Sequence, residues 1–182
     1  MRPVDLLTAW VKLKFDGNKI KRSGQPYFNH LTVVAELAAP LVSMGYEIGI
    51  CHDLLEDTSV TENEFLKALN SFGYNDLDAV YISGTVIELT DVFTSDAYPK
   101  LSKMRRKEKE VERLAGISSV AQTVKYCDLM DNIKWVMQYD LKHASKYLLK
   151  KRMLLSAMCK GDGEMRQKVI NEINEQVNKL AN

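Results

Sequence analysis

Cysteine is scarce in this sequence, and the three cysteines present show no pairing pattern. Cys51, Cys127 and Cys159 form neither a CxxC pair nor a zinc-finger spacing. An odd, unpatterned set argues against a disulfide framework, so we expect a reducing compartment. Because Cys51 and Cys127 stand among apolar residues, we expect both to be small core residues.

Long hydrophobic runs and an excess of one charge are also missing. No apolar stretch approaches the ~18 residues of a membrane-spanning helix, and the N-terminal residues lack the apolar segment of a secretory signal. We therefore expect a cytoplasmic protein. The 25 Lys and Arg residues balance 24 Asp and Glu residues, for a net charge of +1. Neither a nucleic acid nor a membrane surface is an expected partner.

Signals for β-structure are equally few. There is no Asn-Gly hairpin turn, no internal repeat and no linker rich in Pro, Gly or Ser. Apolar residues instead recur at helical spacing along almost the whole chain. With 46% hydrophobic residues, the 182 residues can bury a sizeable core. We predict a single all-α domain over residues 1–182, a helical bundle of about seven to nine helices.

Capping and helix-breaking residues place these helices along the chain. A capping box opens at Thr61, Asn75 can cap the next helix, and Gly45 and Gly73 are expected to end helices. Pro40 is expected to kink the second helix or end it early. The predicted helices cover approximately residues 3–15, 27–44, 46–55, 61–73, 75–89, 100–114, 118–138, 141–158 and 162–180.

The densest group of chemically reactive side chains is the segment CHDLLEDT at residues 51–58. On a helix or helical turn, His52 and Glu56 share a face, and so do Asp53 and Asp57. Three crowded carboxylates repel one another unless a cation neutralises them. A histidine beside an aspartate can therefore start a divalent-metal site. The alternative is a solvated, acidic helix end with a chance histidine.

Two other residues are candidate ligands. His30 lies early in the second helix, where a core or surface role is the alternative. Asp128 lies among apolar residues of a predicted buried helix, so its carboxylate needs a cation or strong donors. Asn132 follows one turn later on the same face, and the structural alternative for Asp128 is a helix cap or a core salt bridge. His143 stands among lysines and is expected on a solvated face.

These candidates define one metal centre. Together, two nitrogen and two oxygen ligands would come from three helices: His30, His52, Asp53 and Asp128. This mixture suits Mn²⁺, with Zn²⁺ or another divalent ion as the alternative, and it leaves positions for water and substrate.

The order of a lone histidine, a His-Asp pair and a distant aspartate resembles the HD phosphohydrolase superfamily. Longer motifs resemble the hydrolase domain of RelA/SpoT-type alarmone enzymes, and the single-domain length resembles the small alarmone hydrolases. These motifs are KRSGQPYFNH at 21–30, HDLLEDT at 52–58, LTD at 89–91 and DLMDN at 128–132. The HD pair alone is a weak signal, but the basic loop with PYxxH joined to HDxxED is specific. The matches extend from about Ala9 to Trp135.

The resemblance implies an HD-type helical domain and a role for each motif. The four ligands would bind Mn²⁺, while Glu56 and Asp57 would activate and orient the attacking water. Lys21 and Arg22 would contact the base and phosphates, and Asn132 would contact the nucleotide. The implied reaction is hydrolysis of the 3′-pyrophosphate of ppGpp or pppGpp, giving GDP or GTP and pyrophosphate.

The sequence departs from the family pattern at three places. Leu31 follows the first histidine where the family usually has proline, and the basic pair is Lys21-Arg22 where it often is Arg-Lys. Because arginine stacks better on a purine than lysine does, this exchange bears on base recognition. The segment at 92–94, Val-Phe-Thr, replaces the usual charged residues after Thr-Asp. None of these changes touches the ligand set.

Two other functions fit the same residues. One is an HD phosphohydrolase that removes the 2′-phosphate of NADPH or cleaves a nucleoside monophosphate. The other is a nucleotide-binding domain without catalytic activity, which a degraded ligand set would indicate; here all four ligands and both acids are present. No synthetase-like second domain is seen, so alarmone synthesis is not expected. The sequence carries no signal for an oligomeric state.

Overall fold

The computed structural model describes residues 1–181, and these residues contain ten α-helices and no β-strand. Nine helices have seven residues or more, and α4 is a single turn. The predicted all-α fold class is confirmed. None of the described helices is both long and apolar enough to span a membrane. The helices are α1 Pro3–Lys14, α2 Tyr27–Ala38, α3 Gly45–Cys51, α4 Leu54–Asp57, α5 Glu62–Phe72, α6 Asp76–Leu89, α7 Lys103–Gly116, α8 Ser119–Tyr139, α9 Leu141–Ala157 and α10 Gly163–Ala181.

The predicted caps form the hydrogen bonds expected of them. The Thr61 hydroxyl accepts from the backbone N–H of Glu64 at 3.2 Å, and the Asn75 side chain caps α6 in the same way. Each bond satisfies one of the N–H groups that a helix start leaves without an intrahelical acceptor. Gly73 follows α5 with φ of 98°, a left-handed conformation that glycine adopts at low cost.

The prediction for Gly45 is wrong, because this residue begins α3 and does not end α2. Helix α2 stops at Ala38, shortly before Pro40, whose ring has no N–H for a further helical bond. A Cβ atom on Gly45 would lie 2.2 Å from the Ala38 carbonyl oxygen. The glycine is therefore required by the close approach of the two segments rather than by helix termination.

Residues 1–90 form one compact unit, which contains α1 to α6. Helix α3 packs most closely on α2, and Gly49 lies at the contact: a Cβ there would be 2.6 Å from the Ala35 Cα atom. Apolar side chains of α1, α5 and α6 complete the core. Its fully buried members include Leu7, Val11, Leu31, Val34, Ile48, Ile50, Phe65, Leu69, Ile82 and Val86.

The described residues from 91 onwards form a second compact unit, in which α8 packs against α9 and α10. The Tyr126 hydroxyl donates to the Met158 carbonyl at 2.9 Å, and the Gln122 side chain accepts from the backbone N–H of Lys160 at 2.8 Å. These bonds satisfy buried polar groups where α9 ends. Each unit is compact by itself, and the single domain over residues 1–182 stays a prediction.

We predict opposite effects of alanine at two helical glycines of the first unit. Gly49→Ala should lower the free energy of unfolding by about 1–3 kcal/mol, because the new methyl group meets the α2 backbone. Gly84→Ala is the control: apart from the adjoining backbone of its own helix, no atom lies within 4 Å of the added carbon. The lower backbone entropy of the unfolded chain should therefore stabilise the protein by about 0.5–1 kcal/mol. Urea unfolding measures both, and a Gly49→Ala protein as stable as the wild type would contradict the packing argument.

Candidate metal centre

The tight α2–α3 packing brings two buried histidines close together. His30 lies one turn into α2, and His52 directly follows α3; they are 6% and 2% exposed. Asp53 comes next, in the turn before α4. The sequence predicted one helix through His52 and Asp53, whereas the structure has a turn there, and this turn directs both side chains toward His30.

The three side chains form a compact ligand set. One ligand atom from each of His30, His52 and Asp53 lies within 4.8 Å of the others. The Asp53 Oδ2 atom is 3.0 Å from His52 Nε2 and 3.8 Å from His30 Nε2. The two imidazole rings meet edge to face, with centroids 5.2 Å apart. Three of the four predicted ligands thus lie together in the first unit.

Hydrogen bonding of the His52 ring indicates which nitrogen faces the centre. His52 Nδ1 is 2.7 Å from the Gly49 carbonyl oxygen, and a carbonyl can only accept, so Nδ1 carries the hydrogen. Nε2 of a neutral ring then directs a lone pair at the Asp53 carboxylate. The Nε2 and Oδ2 atoms are 3.0 Å apart in a poorly solvated place, so their lone pairs repel each other unless a cation or a proton lies between the two atoms.

This arrangement fits a divalent metal ion. Metal-binding histidines commonly donate their second ring nitrogen to a carbonyl or a carboxylate, as His52 does to Gly49. Two imidazoles and a carboxylate suit Mn²⁺, Zn²⁺ and related ions. The residues therefore support a metal site without selecting the ion.

Tyr27 contacts this cluster and was not among the predicted site residues. Its hydroxyl donates to Asp53 Oδ2 at 2.8 Å. Burial and the nearby carboxylates of Asp53 and Asp57 raise the pKa of Tyr27, so the hydroxyl keeps its proton. The three-residue spacing between Tyr27 and His30 places both on one face of α2, and this spacing is the signal that sequence reasoning overlooked.

Glu56 and Asp57, the predicted acid–base pair, are the exposed residues of the single turn α4, which directly follows Asp53. Partial burial of the Asp57 carboxyl group, followed by repulsion from Asp53, raises its pKa, and a hydrogen bond with Tyr27 opposes that rise. A carboxyl group with a raised pKa can take up and release a proton closer to neutral pH. The geometry of α4 is compatible with acid–base chemistry beside the ligand cluster.

Lys21 and Arg22 lie exposed in the loop between α1 and α2. The loop is a short hairpin closed by an isolated bridge between Lys19 and Pro26. Arg22 has φ of 67°, an uncommon left-handed conformation for this residue type. The backbone N–H of Tyr27 donates to the Asn18 carbonyl at 2.9 Å, so the loop ends one turn before His30.

Asp128 and Asn132 lie in the second unit, on adjacent turns of α8. Asp128 is 4% exposed, its Oδ2 atom is 2.8 Å from the ammonium group of Lys125, and its Oδ1 atom accepts from the Asn132 amide. The predicted need of this buried carboxylate for a cation and donors is thus met within α8. The core salt bridge considered from the sequence is present, and the ligand role of Asp128 stays a prediction.

The exposed His143 pairs with Asp140, as expected of a solvated face.

No protein-family model and no curated protein matches this chain. A solved structure does match: that of a metazoan SpoT ortholog reported to hydrolyse ppGpp and to play a role in starvation responses. The TM-score is 0.77, with 19% sequence identity over 97% of this chain and 96% of that one. This chain has the fold of that ppGpp hydrolase. The resemblance to an HD-type hydrolase domain is therefore confirmed at the level of the fold.

We predict that Asp53→Asn abolishes metal binding, because the substitution removes the charged ligand between the two imidazoles. The loss of Mn²⁺ affinity should exceed the ~10–100-fold that removal of an outer-shell partner costs. Electron paramagnetic resonance of free Mn²⁺ during titration measures the affinity. Asp16→Asn, at an exposed position of the same unit, is the control and should bind like the wild type. Full loading of the Asp53→Asn protein would contradict the assignment.

Proposed function

We propose that this protein is a metal-dependent phosphohydrolase that removes the 3′-pyrophosphate of ppGpp or pppGpp. The observation that carries the proposal is the buried cluster of His30, His52 and Asp53 within a fold shared with a ppGpp hydrolase. The motifs at residues 21–30, 52–58 and 128–132 support the same substrate class. Mn²⁺ is the proposed ion.

His30, His52 and Asp53 would hold the ion, and Asp128 is proposed as the fourth ligand. When bound, the ion would polarise a phosphoryl oxygen and lower the pKa of water. The chain's own contribution is to fix the imidazole orientation, through the Gly49 carbonyl, and to keep the ligands poorly solvated. Low solvation strengthens every charge interaction at this place.

Glu56 and Asp57 would handle the protons of hydrolysis. One carboxylate accepts a proton from the attacking water, and the water oxygen bonds to the 3′-pyrophosphate phosphorus that is attached to the ribose. The bond from that phosphorus to the ribose 3′-oxygen breaks, and the departing oxygen takes up a proton. One water is consumed, and GDP and pyrophosphate are formed from ppGpp. Asp57, whose pKa is raised, is the better candidate to donate the second proton.

Lys21 and Arg22 are the proposed contacts to the substrate. A nucleotide with two diphosphate groups carries several negative charges, and the exposed hairpin loop carries an ammonium and a guanidinium on consecutive residues. Arginine can bind phosphate oxygens in a bidentate manner, whereas lysine acts as a compact point charge. Asn132 is the proposed further contact to the nucleotide.

The decisive experiment incubates the purified protein with ppGpp, pppGpp, NADPH and nucleoside monophosphates, with Mn²⁺ and with a chelator. Mn²⁺-dependent release of pyrophosphate from ppGpp or pppGpp is the expected result. Release of phosphate from NADPH or a monophosphate instead would assign another HD phosphohydrolase activity. Turnover of no substrate by Mn²⁺-loaded protein would overturn catalysis and favour a binding function.

We predict that Glu56→Gln separates metal binding from turnover. If Glu56 transfers a proton, kcat for ppGpp should fall by about 10²–10⁴, while Mn²⁺ affinity is kept. Glu36→Gln is the control, because Glu36 is an exposed carboxylate on α2, and its kcat should equal that of the wild type. A fully active Glu56→Gln enzyme would remove Glu56 from the proton-transfer step.

A second pair of variants tests Asp128. If this carboxylate is a ligand, Asp128→Asn should weaken Mn²⁺ binding, whereas Lys125→Met should not, since it leaves the carboxylate in place and removes a competing cation. Lys125→Met should instead lower the melting temperature of the metal-free protein, because a buried charge loses its partner. Unchanged Mn²⁺ affinity in Asp128→Asn would show that the residue serves only the salt bridge.

A further inference from the structure

Tyr27 begins α2 and extends its hydroxyl to the oxygen of Asp53 that faces both histidines. We propose that Tyr27 is a positioning residue, which holds the Asp53 carboxylate in the orientation that binds the metal ion. This inference rests on the metal site of the proposed function. The distances from Asp53 Oδ2 are 2.8 Å to the hydroxyl, 3.0 Å to His52 Nε2 and 3.8 Å to His30 Nε2.

The Tyr27 ring is held in place by packing on two sides. It stacks on Phe15 with centroids 5.5 Å apart and an angle of 8° between the planes. Its other contact is with the His30 ring, edge to face at 5.6 Å. A ring fixed in this way gives its hydroxyl a defined position, which a water molecule in its place would not have.

Asp53 needs such a partner because it lies in a turn between two helices, where the backbone restrains it less than a helix interior would. A carboxylate can rotate about its side-chain bonds, and a donor on Oδ2 selects one rotamer. When the His52 ring is neutral, repulsion between Oδ2 and the Nε2 lone pair would otherwise favour rotation of the carboxylate away from the ring. The hydroxyl thus keeps the ligand in place before the ion arrives, which reduces the cost of ordering the site.

The backbone of Tyr27 makes a separate contact from that of its hydroxyl. Its N–H closes the hairpin that carries Lys21 and Arg22 by donating to the Asn18 carbonyl at 2.9 Å. Tyr27 therefore contacts the ligand Asp53 through its hydroxyl and the end of the basic loop through its backbone. Loss of the hydroxyl alone should affect Asp53 and leave the loop, which is closed by the backbone.

The test is Tyr27→Phe, which deletes one oxygen and keeps both ring contacts. Titration followed by the resonance of free Mn²⁺ should show the dissociation constant rising about 10–100-fold, the range for loss of an outer-shell partner. Tyr74→Phe is the matched control: it deletes a partly buried hydroxyl of the same unit that donates to Glu47 at 3.4 Å. Its Mn²⁺ affinity should equal that of the wild type. If the two variants bind Mn²⁺ alike, the proposal is overturned.

Phe15→Leu provides a second comparison, because it removes the stacked ring and leaves the hydroxyl. A smaller loss of affinity than in Tyr27→Phe supports the role of the hydrogen bond, and a larger loss overturns it in favour of ring packing. Excess Mn²⁺ should restore the kcat of Tyr27→Phe toward the wild-type value. Wild-type protein that binds no Mn²⁺ would overturn this inference together with the proposed function. Equal Mn²⁺ affinity of the wild type and Tyr27→Phe would overturn this inference alone.

Discussion

The contact between His52 and Asp53 is the physical constraint on which the candidate metal centre depends. An imidazole nitrogen and a carboxylate oxygen lie 3.0 Å apart where water is largely excluded. This placement is unfavourable by itself and becomes favourable only with positive charge between the two atoms. The surrounding structure maintains it: the Gly49 carbonyl fixes the ring, and glycines at the α2–α3 contact let His30 approach. The close packing of α2 on α3 therefore also determines the geometry of the candidate centre.

The side chains around this centre fall into a buried group and an exposed group. His30 is buried within α2, and His52 is buried in the turn after α3, where the Gly49 carbonyl fixes its ring. Glu56, Asp57, Lys21 and Arg22 are instead exposed to the solvent. Lys21 and Arg22 supply charge without the cost of burying it. This division is compatible with the proposed hydrolysis of a highly charged nucleotide.

Much of this structure could be predicted from the sequence, and the failures have physical causes. Helix caps at Thr61 and Asn75 act through bonds within four residues, so a local pattern suffices to find them. Gly45 was misassigned because its role is set by Ala38, on another segment, and a lone glycine looks the same as a helix end. Tyr27 was missed for a similar reason: its partner, Asp53, is 26 residues away. Residue types in the centre were predictable, but contacts made across the fold were not.

The burial of Cys51 has a practical consequence for chemical labelling. This thiol immediately precedes His52, yet it is fully buried, and burial raises its pKa well above the ordinary value. Burial likewise raises the pKa of Cys127 to about 12. Thiolate is the form that reacts with maleimides, so both sulfurs should be protected at neutral pH. Cys159 is exposed, and a fluorophore or spin label can therefore be attached there to the native sequence without modification beside the histidines.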